Sequence, residues 1–343
     1  MTERQWDVLL RTIKGEVVNP LPIGFIIDCP WLPNWYGIRI IDYFSNEELW
    51  FSANLKAIND FPDVMFLPGF WSEFGMCTEP SAFGVRCTFP PDEFPYAHKI
   101  IQSAEDIDNL PEPNPRTDGL LPFILNRLKH AQPKIEAAGH KIRFAVARGP
   151  LNIASYLMGS TEFLTTMMMM PDKAQLLIRK ITNYLKEWLQ LQMETFPSID
   201  GIFLLDDIIG FMGEPEFREF GLPYFKELYD VNVSVKFLHN DAPCRVSSPT
   251  LPEFNINLFN MGFDIKLNEL KDLTRNKVTL VGNIPPRDVL GSGSADDVKK
   301  VTTELLNSLK DKSRVILSCG GGMPPGVSTE NINAFINTVK NFS

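Results

Sequence analysis

The feature that most constrains this chain is an alternation. Short runs rich in β-branched and aromatic residues, each ending on a polar or small residue, are separated by amphipathic helical stretches. From about residue 140 onward the runs are Lys141 to Arg148 (KIRFAVAR), Gly201 to Asp207 (GIFLLDD), Ser234 to His239 (SVKFLH), Gly262 to Leu267 (GFDIKL), Lys277 to Asn283 (KVTLVGN) and Arg314 to Cys319 (RVILSC). Two more, Leu21 to Asp28 (LPIGFIID) and Asp63 to Leu67 (DVMFL), stand upstream. Strands that alternate with helices build a parallel sheet, and eight of them predict closure into a (β/α)8 TIM barrel.

At 343 residues the chain fits one such barrel spanning residues 1–343, with an N-terminal extension and a Pro-rich excursion, residues 73–115, over the barrel mouth. Pro171 followed by Asp172 opens a long helix to about Phe196, because proline has no amide to lose at a helix start and an acidic side chain complements the dipole. Ser328-Thr329-Glu330 opens the last helix, with Ile332, Phe335, Ile336 and Val339 on one face. Met167 to Met170 reads as flexible core filler. With 22% charged residues, no run of ~18 apolar residues and no secretory leader pattern at Met1, the expectation is a cytoplasmic protein. A net charge of −9 argues against nucleic acid as a partner, and the five scattered cysteines against a disulfide framework. A homodimer is compatible with the sequence and is not dictated by it.

In a barrel of this kind chemistry gathers at the C-terminal ends of the strands, so the polar residues that terminate strands are the candidates. They are Asp28 and Cys29, Arg148, Asp206 and Asp207, His239 with Asn240 and Asp241, Asn268, Asn283 and Cys319. Of the four histidines only His239 ends a strand; His98, His130 and His140 do not. His239 and Asp241 are two apart, so an extended backbone points both to one side, and with Cys319 they would make a three-ligand zinc site with an open fourth position. The plainer reading makes Cys319 a buried apolar thiol and Asp241 a turn cap. Of the adjacent Asp206 and Asp207 one should face the mouth and the other bond backbone amides, with Asp207 the choice for the mouth. Gly320-Gly321-Gly322 without a P-loop lysine is weak evidence for phosphate, and suits close backbone approach better.

Several segments resemble the uroporphyrinogen decarboxylase-like family, and together they cover nearly the whole chain. They are Arg148-Gly149-Pro150-Leu151-Asn152-Ile153-Ala154-Ser155-Tyr156-Leu157-Met158-Gly159, the stretch Glu216 to Lys226, Leu280-Val281-Gly282-Asn283-Ile284, and Val315 to Gly320 with Pro324 to Ile332. The porphyrin decarboxylases of that family carry an Arg-rich N-terminal segment and an Asp on the second strand. Here the first mouth loop reads Cys29-Pro30-Trp31-Leu32-Pro33-Asn34-Trp35-Tyr36, and the second strand runs into Pro68-Gly69-Phe70-Trp71 with no Asp. Such loops suit a smaller, less charged ligand.

The family's other branch, the corrinoid-dependent methyltransferases, binds zinc through His-x-Cys after strand five and a Cys after strand eight. This chain has His239-Asn240-Asp241, and Gly321 where that Cys stands, with Cys319 two residues earlier. The resemblance implies a methyltransferase that moves a methyl group from a small methoxylated aromatic or other O- or N-methyl donor to a cob(I)alamin-carrying protein. Zinc on His239, Asp241 and Cys319, or a proton donor among Asp206, Asp207 and His239, would stabilise the leaving oxygen. Trp31, Trp35, Phe70, Trp71, Arg148 and Asn283 would bind substrate. No corrinoid-binding module is visible in the sequence, so the cobalamin would arrive on a partner. The alternatives are a zinc-dependent methylcobalamin:thiol methyltransferase, a decarboxylase of a smaller acid, and an inactive scaffold.

Overall fold

Eight short strands, β1 (Ile23–Ile26), β2 (Val64–Leu67), β3 (Phe144–Arg148), β4 (Gly201–Leu205), β5 (Val235–Asn240), β6 (Leu258–Met261), β7 (Thr279–Ile284) and β8 (Val315–Cys319), make up the centre of the chain. They form one sheet in the order β2-β1-β8-β7-β6-β5-β4-β3, and every ladder is parallel. The computed structural model describes residues 1–27 and 30–342, so Asp28 and Cys29 lie outside the described residues. Nearly every strand residue is buried, as parallel strands with both faces covered must be.

The sheet curls until its two ends share an interior. Met65 and Leu67 of β2 join Phe144 of β3 and Phe203 of β4 in one inner cluster with Phe237, Leu258, Val281 and Ile316. Where the sequence predicts a closed barrel, no ladder joins β2 to β3 among the described residues. Side chains span that seam instead: Trp71, just after β2, meets Phe203 edge-on at 6.1 Å. Helix α1 (Glu3–Lys14), started by a Thr2–Gln5 capping box, adds Trp6, Leu9 and Ile13 to the inner cluster, with Trp6 edge-on to Phe144 at 5.5 Å.

Helices α2 (Glu47–Asp60), α3 (Leu121–Ala137), α4 (Pro150–Met158), α5 (Pro171–Thr195), α6 (Ala295–Ser308) and α7 (Thr329–Asn341) contribute to the outer layer. Helix α5 starts at the expected proline and buries Leu177, Ile178, Ile181, Leu185, Trp188 and Leu189, each worth about 1.5–3 kcal/mol of apolar transfer. Helix α7 is capped by Ser328 and buries the four expected residues. Met168 and Met169, expected in the core, are 80% and 75% exposed, because the turn of helix they occupy faces solvent just before Pro171. No described helix is long and apolar enough to cross a membrane.

The sixth strand differs from expectation. Of the expected strand, Gly262 to Lys266 forms a connection and Leu267 opens the next helix, while the strand itself is Leu258–Met261, whose central Asn260 disguises it as loop. Asn268 consequently ends no strand; it lies in the helix Leu267–Leu273, where its Nδ2 donates to Ser308 O at 2.7 Å. Between β2 and α3 the chain is irregular, with 3-10 turns at Pro80–Phe83 and Ala104–Asn109 and a two-residue antiparallel ladder pairing Cys87–Thr88 with Tyr96–Ala97.

Candidate active site

Strand alternation decides which side chains reach the interior at the C-terminal end of the sheet. On β5 Phe237 is inward, so His239 is inward too; in register beside it on β6 is Asn260, and beside that on β7 Val281. Asn260 Nδ2 donates to Val281 O at 2.8 Å, which turns its Oδ1 toward His239 Nδ1, 2.7 Å away. That acceptor holds a proton on Nδ1. His239 Nε2 lies 3.5 Å from Asp241 Oδ2. Burial pushes the imidazole pKa down, but the adjacent Asp241 carboxylate, supported by Asp207 and Asn260, outweighs it and raises the pKa to about 9. His239 is therefore an imidazolium at neutral pH. Asp241, which burial alone would raise, is held below the usual carboxylate range by His239 and by the Gly322 N–H.

The two adjacent aspartates part company. Asp207 Oδ1 accepts from the Asp241 N–H at 2.7 Å, which ties the β4 end to the β5 end. Asp206 turns outward and accepts from the Leu151 and Asn152 amides at 2.9 and 3.1 Å, capping α4. Asn152 Oδ1 returns the bond, accepting from the Asp207 and Ile208 amides. A Cβ at position 149 would lie 2.3 Å from Asp206 Oδ2, so Gly149 is what lets the helix start sit on that carboxyl group. Burial pushes the Asp206 carboxyl up to about 8, with Asp207 adding to it and the amides opposing. Asp206 is thus a structural cap rather than a catalytic group.

Arg148, expected to bind substrate, is consumed internally. Its guanidinium meets Glu73 at 2.8 Å and Glu79 at 3.4 Å, its own amide donates to Glu79 at 3.1 Å, and all three side chains are buried. Burial raises the Glu73 carboxyl pKa against the pull of Arg148. Sequence reasoning missed both glutamates. Their one signal was two acids in the apolar stretch Phe70 to Pro80, which contains no basic residue.

The expected aromatic pocket is not formed. Trp31 is fully buried, stacked between Trp35 and Phe66, and donates to Val327 O. Trp35 donates to Thr329 Oγ1 in the outer layer. Phe70 stacks on Phe51 beneath Trp50, and Trp71 fills the interior against Phe203. Asn283 donates to Gly262 O and Ile265 O, bracing the connection after β6. These residues are core and braces because the apolar rings after β1 and β2 have outer helices to pack on.

The zinc ligand set does not fit. On β8 Ile316 is inward and Leu317 outward, so Cys319 falls among the outer core residues, where its Sγ contacts Gly321 O at 3.6 Å. The expected equivalence of positions 319 and 321 fails because the strand ends at Cys319 and Gly321 takes φ +74°. A Cβ at Gly321 would lie 1.8 Å from Asp241 Oδ1, so the carboxylate fills the room a side chain there would need. Among the described residues no three His, Cys, Asp or Glu side chains are grouped to hold a metal. What the site offers is a His239–Asp241 ion pair beside an open cleft of about 320 Å³, walled by Phe263, Pro286, Arg287, Met323 and Pro325.

A curled eight-stranded parallel sheet wrapped by helices, with charged groups at its C-terminal end, is the architecture of barrel enzymes. The family model described as Uroporphyrinogen decarboxylase (URO-D) matches residues 5–342, and the chain belongs to that family. It is 22% identical to the uroporphyrinogen decarboxylase of Pseudoalteromonas translucida over 100% of this chain and 99% of that one. With that of Coxiella burnetii it shares 23% over 98% and 95%. Among solved structures it resembles a methyltransferase from Methanosarcina mazei with TM-score 0.81 at 19% identity, covering 98% of both chains. A B12-independent methionine synthase from Shewanella follows with TM-score 0.57 at 12% identity, covering 93% of this chain and 98% of that one. At these identities the structural likeness speaks for the fold.

Proposed function

We propose that this chain is a methyltransferase that takes a methyl group from a small methoxylated, or other O- or N-methylated, compound and passes it to a cob(I)alamin-carrying protein, with acid rather than metal activation of the leaving group. The observation that carries this reading over porphyrin decarboxylation is the closure of Arg148 by Glu73 and Glu79. A substrate with eight carboxyl groups would meet an end of the sheet whose buried arginine is already neutralised and where Asp207 and Asp241 add negative charge. A small donor with one reacting oxygen asks only for a positioned proton.

The partner's cob(I)alamin supplies the nucleophile when it docks. As the methyl carbon leaves, the C–O bond breaks and its electron pair stays on oxygen. Passage of the Nε2 proton of His239 through the Asp241 carboxyl group, which lines the cleft, to that oxygen gives a neutral alcohol or phenol in place of a basic alkoxide. Asp241 holds the proton only in passing and returns to its ion pair when the ring takes a proton from solvent, while Asn260 keeps the ring from turning.

The test is to incubate the chain with a reduced corrinoid protein and a panel of methoxyphenols, methoxybenzoates, methylated amines and betaines, following conversion of cob(I)alamin to methylcobalamin spectroscopically. Transfer that is lost in His239→Gln supports the reading. Carbon dioxide release from a carboxylated substrate without methyl transfer overturns it, as does robust transfer from methylcobalamin to a thiol with no reaction of any ether.

A further inference from the structure

The irregular segment between β2 and α3 holds two thiols against each other. Cys77 is fully buried, and Cys87, the first residue of the short antiparallel ladder, is half-buried. Backbone bonds bring them together. Cys87 pairs with Ala97 and Thr88 with Tyr96, while the Met76 amide, next to Cys77, donates to Pro95 O at 3.2 Å, so the turn that carries Cys77 lies against the ladder that carries Cys87. The Cys77 thiol hydrogen-bonds the Cys87 sulfur and meets the Thr88 N–H. Of the other described cysteines, Cys244 lies against Ser248 and Cys319 against Gly321, and both are fully buried.

We infer that Cys77 and Cys87 form a redox pair, which a peroxide converts to an intramolecular disulfide and a dithiol reductant restores. Cys87 is the sulfur that a peroxide in solution reaches first, since Cys77 is closed off beneath it. The hydrogen bond from Cys77 lowers the Cys87 pKa and favours the thiolate, which is the nucleophilic form. The same neighbour, and then burial, push the Cys77 thiol up, so Cys77 keeps its proton. In the first step the Cys87 thiolate attacks one peroxide oxygen: an S–O bond forms, the O–O bond breaks and hydroxide leaves. The Cys77 sulfur then attacks the Cys87 sulfur, the S–S bond forms, the S–O bond breaks and a second hydroxide leaves. The two thiol protons turn both hydroxides into water, so the sulfurs together give up two electrons and the peroxide is reduced to water. Glu79, which holds Arg148, lies just beyond Cys77, so the new bond fastens the turn that anchors that arginine to the ladder.

The full reduced chain is treated with hydrogen peroxide, unfolded, alkylated and digested for peptide mass analysis. A peptide joining Cys77 to Cys87, lighter than its two parts by two hydrogen atoms and separated by dithiothreitol, is the expected product. Cys87→Ser should abolish the link and leave Cys77 open to alkylation, whereas Cys77→Ser should leave Cys87 as a sulfenic acid that dimedone traps. The oxidised wild-type chain should also unfold at a higher urea concentration than the reduced one, because the cross-link restricts the unfolded chain. Five alkylatable thiols after peroxide treatment, or a link that joins either residue to another cysteine, overturns the inference. So does a dimedone adduct at Cys87 as abundant in the wild-type chain as in Cys77→Ser, since Cys77 would then not resolve the sulfenic acid. A lowered unfolding midpoint in the oxidised chain overturns it as well, because the bond would form only by distorting the fold.

Discussion

Arg148→Met separates a structural arginine from a substrate-binding one. In the structure the guanidinium lies between two carboxylates, 2.8 Å from Glu73 and 3.4 Å from Glu79, with every member of the trio less than a tenth exposed. Methionine keeps the volume and removes the charge, leaving two buried carboxylates facing each other without a cation. Breaking a buried pair from one side costs about 3–5 kcal/mol, because the remaining charge is neither solvated nor matched. The cost should shrink as pH falls, since Glu73, whose pKa burial already pushes upward, escapes it by binding a proton. The triple variant Arg148→Met, Glu73→Gln, Glu79→Gln should recover most of the loss, because an apolar or neutral replacement of a whole buried ion cluster is commonly close to neutral. The assay is the urea unfolding midpoint of the three proteins at pH 7 and pH 5. An Arg148→Met protein that unfolds at the wild-type midpoint and is impaired only through a raised KM would refute the reasoning, because that is how a substrate ligand behaves.

Two further outcomes follow from the same site. Asp206 has a folded pKa of about 8 against an ordinary 3.8, so its contribution to stability is fully present below the unfolded value and is lost as pH rises from about 4 through about 8. Asp206→Asn, which keeps an acceptor for the α4 amides, should flatten that decline, as read from unfolding midpoints across the range; a parallel decline in both proteins would contradict the assignment. Cys319→Ala should leave the zinc content of protein purified with zinc and without chelator unchanged, since Cys319 faces the outer core; a stoichiometric zinc lost on this substitution would restore the three-ligand site.

The strand positions were legible because each combines β-branched or aromatic residues with a polar terminus, and only Leu258–Met261 escaped, its central Asn260 breaking the pattern. That same asparagine is what the site depends on, so the residue that hid the strand is the one that orients His239. The pairing of His239 with Asp241 could be read from their spacing. The fate of Cys319 could not, because parity along the strand stops at its last residue and the chain then turns through Gly321. The partners of Arg148 were hidden for a different reason: they lie 75 and 69 residues away in an irregular segment with no periodicity to read. The aromatic mouth was overread, since rings after a strand serve a helix layer as readily as a ligand, and only the packing of Trp31 on Phe66 and Phe70 on Phe51 decides between them.

Asn260 touches neither the cleft nor any solvent, yet its removal should slow methyl transfer. It is fully buried, accepts from His239 Nδ1 and donates to Val281 O, so Asn260→Ala leaves the ring N–H without its acceptor and frees the imidazole to rotate. A ring that no longer holds its Nε2 proton toward Asp241 loses the alignment on which proton delivery depends. Losses of about 10- to 100-fold are typical when a positioning partner of this kind is removed. The loss should fall on kcat, with KM near wild type, because Asn260 lies behind His239 and lines no part of the cleft. A structural role alone would instead lower the unfolding midpoint and reduce active protein without changing kcat per folded chain. The decisive measurement is therefore single-turnover methyl transfer normalised to folded protein, alongside imidazole proton resonances that report which ring nitrogen carries hydrogen. An unchanged single-turnover rate together with an unchanged Nδ1–H resonance would show that His239 is oriented by something other than Asn260.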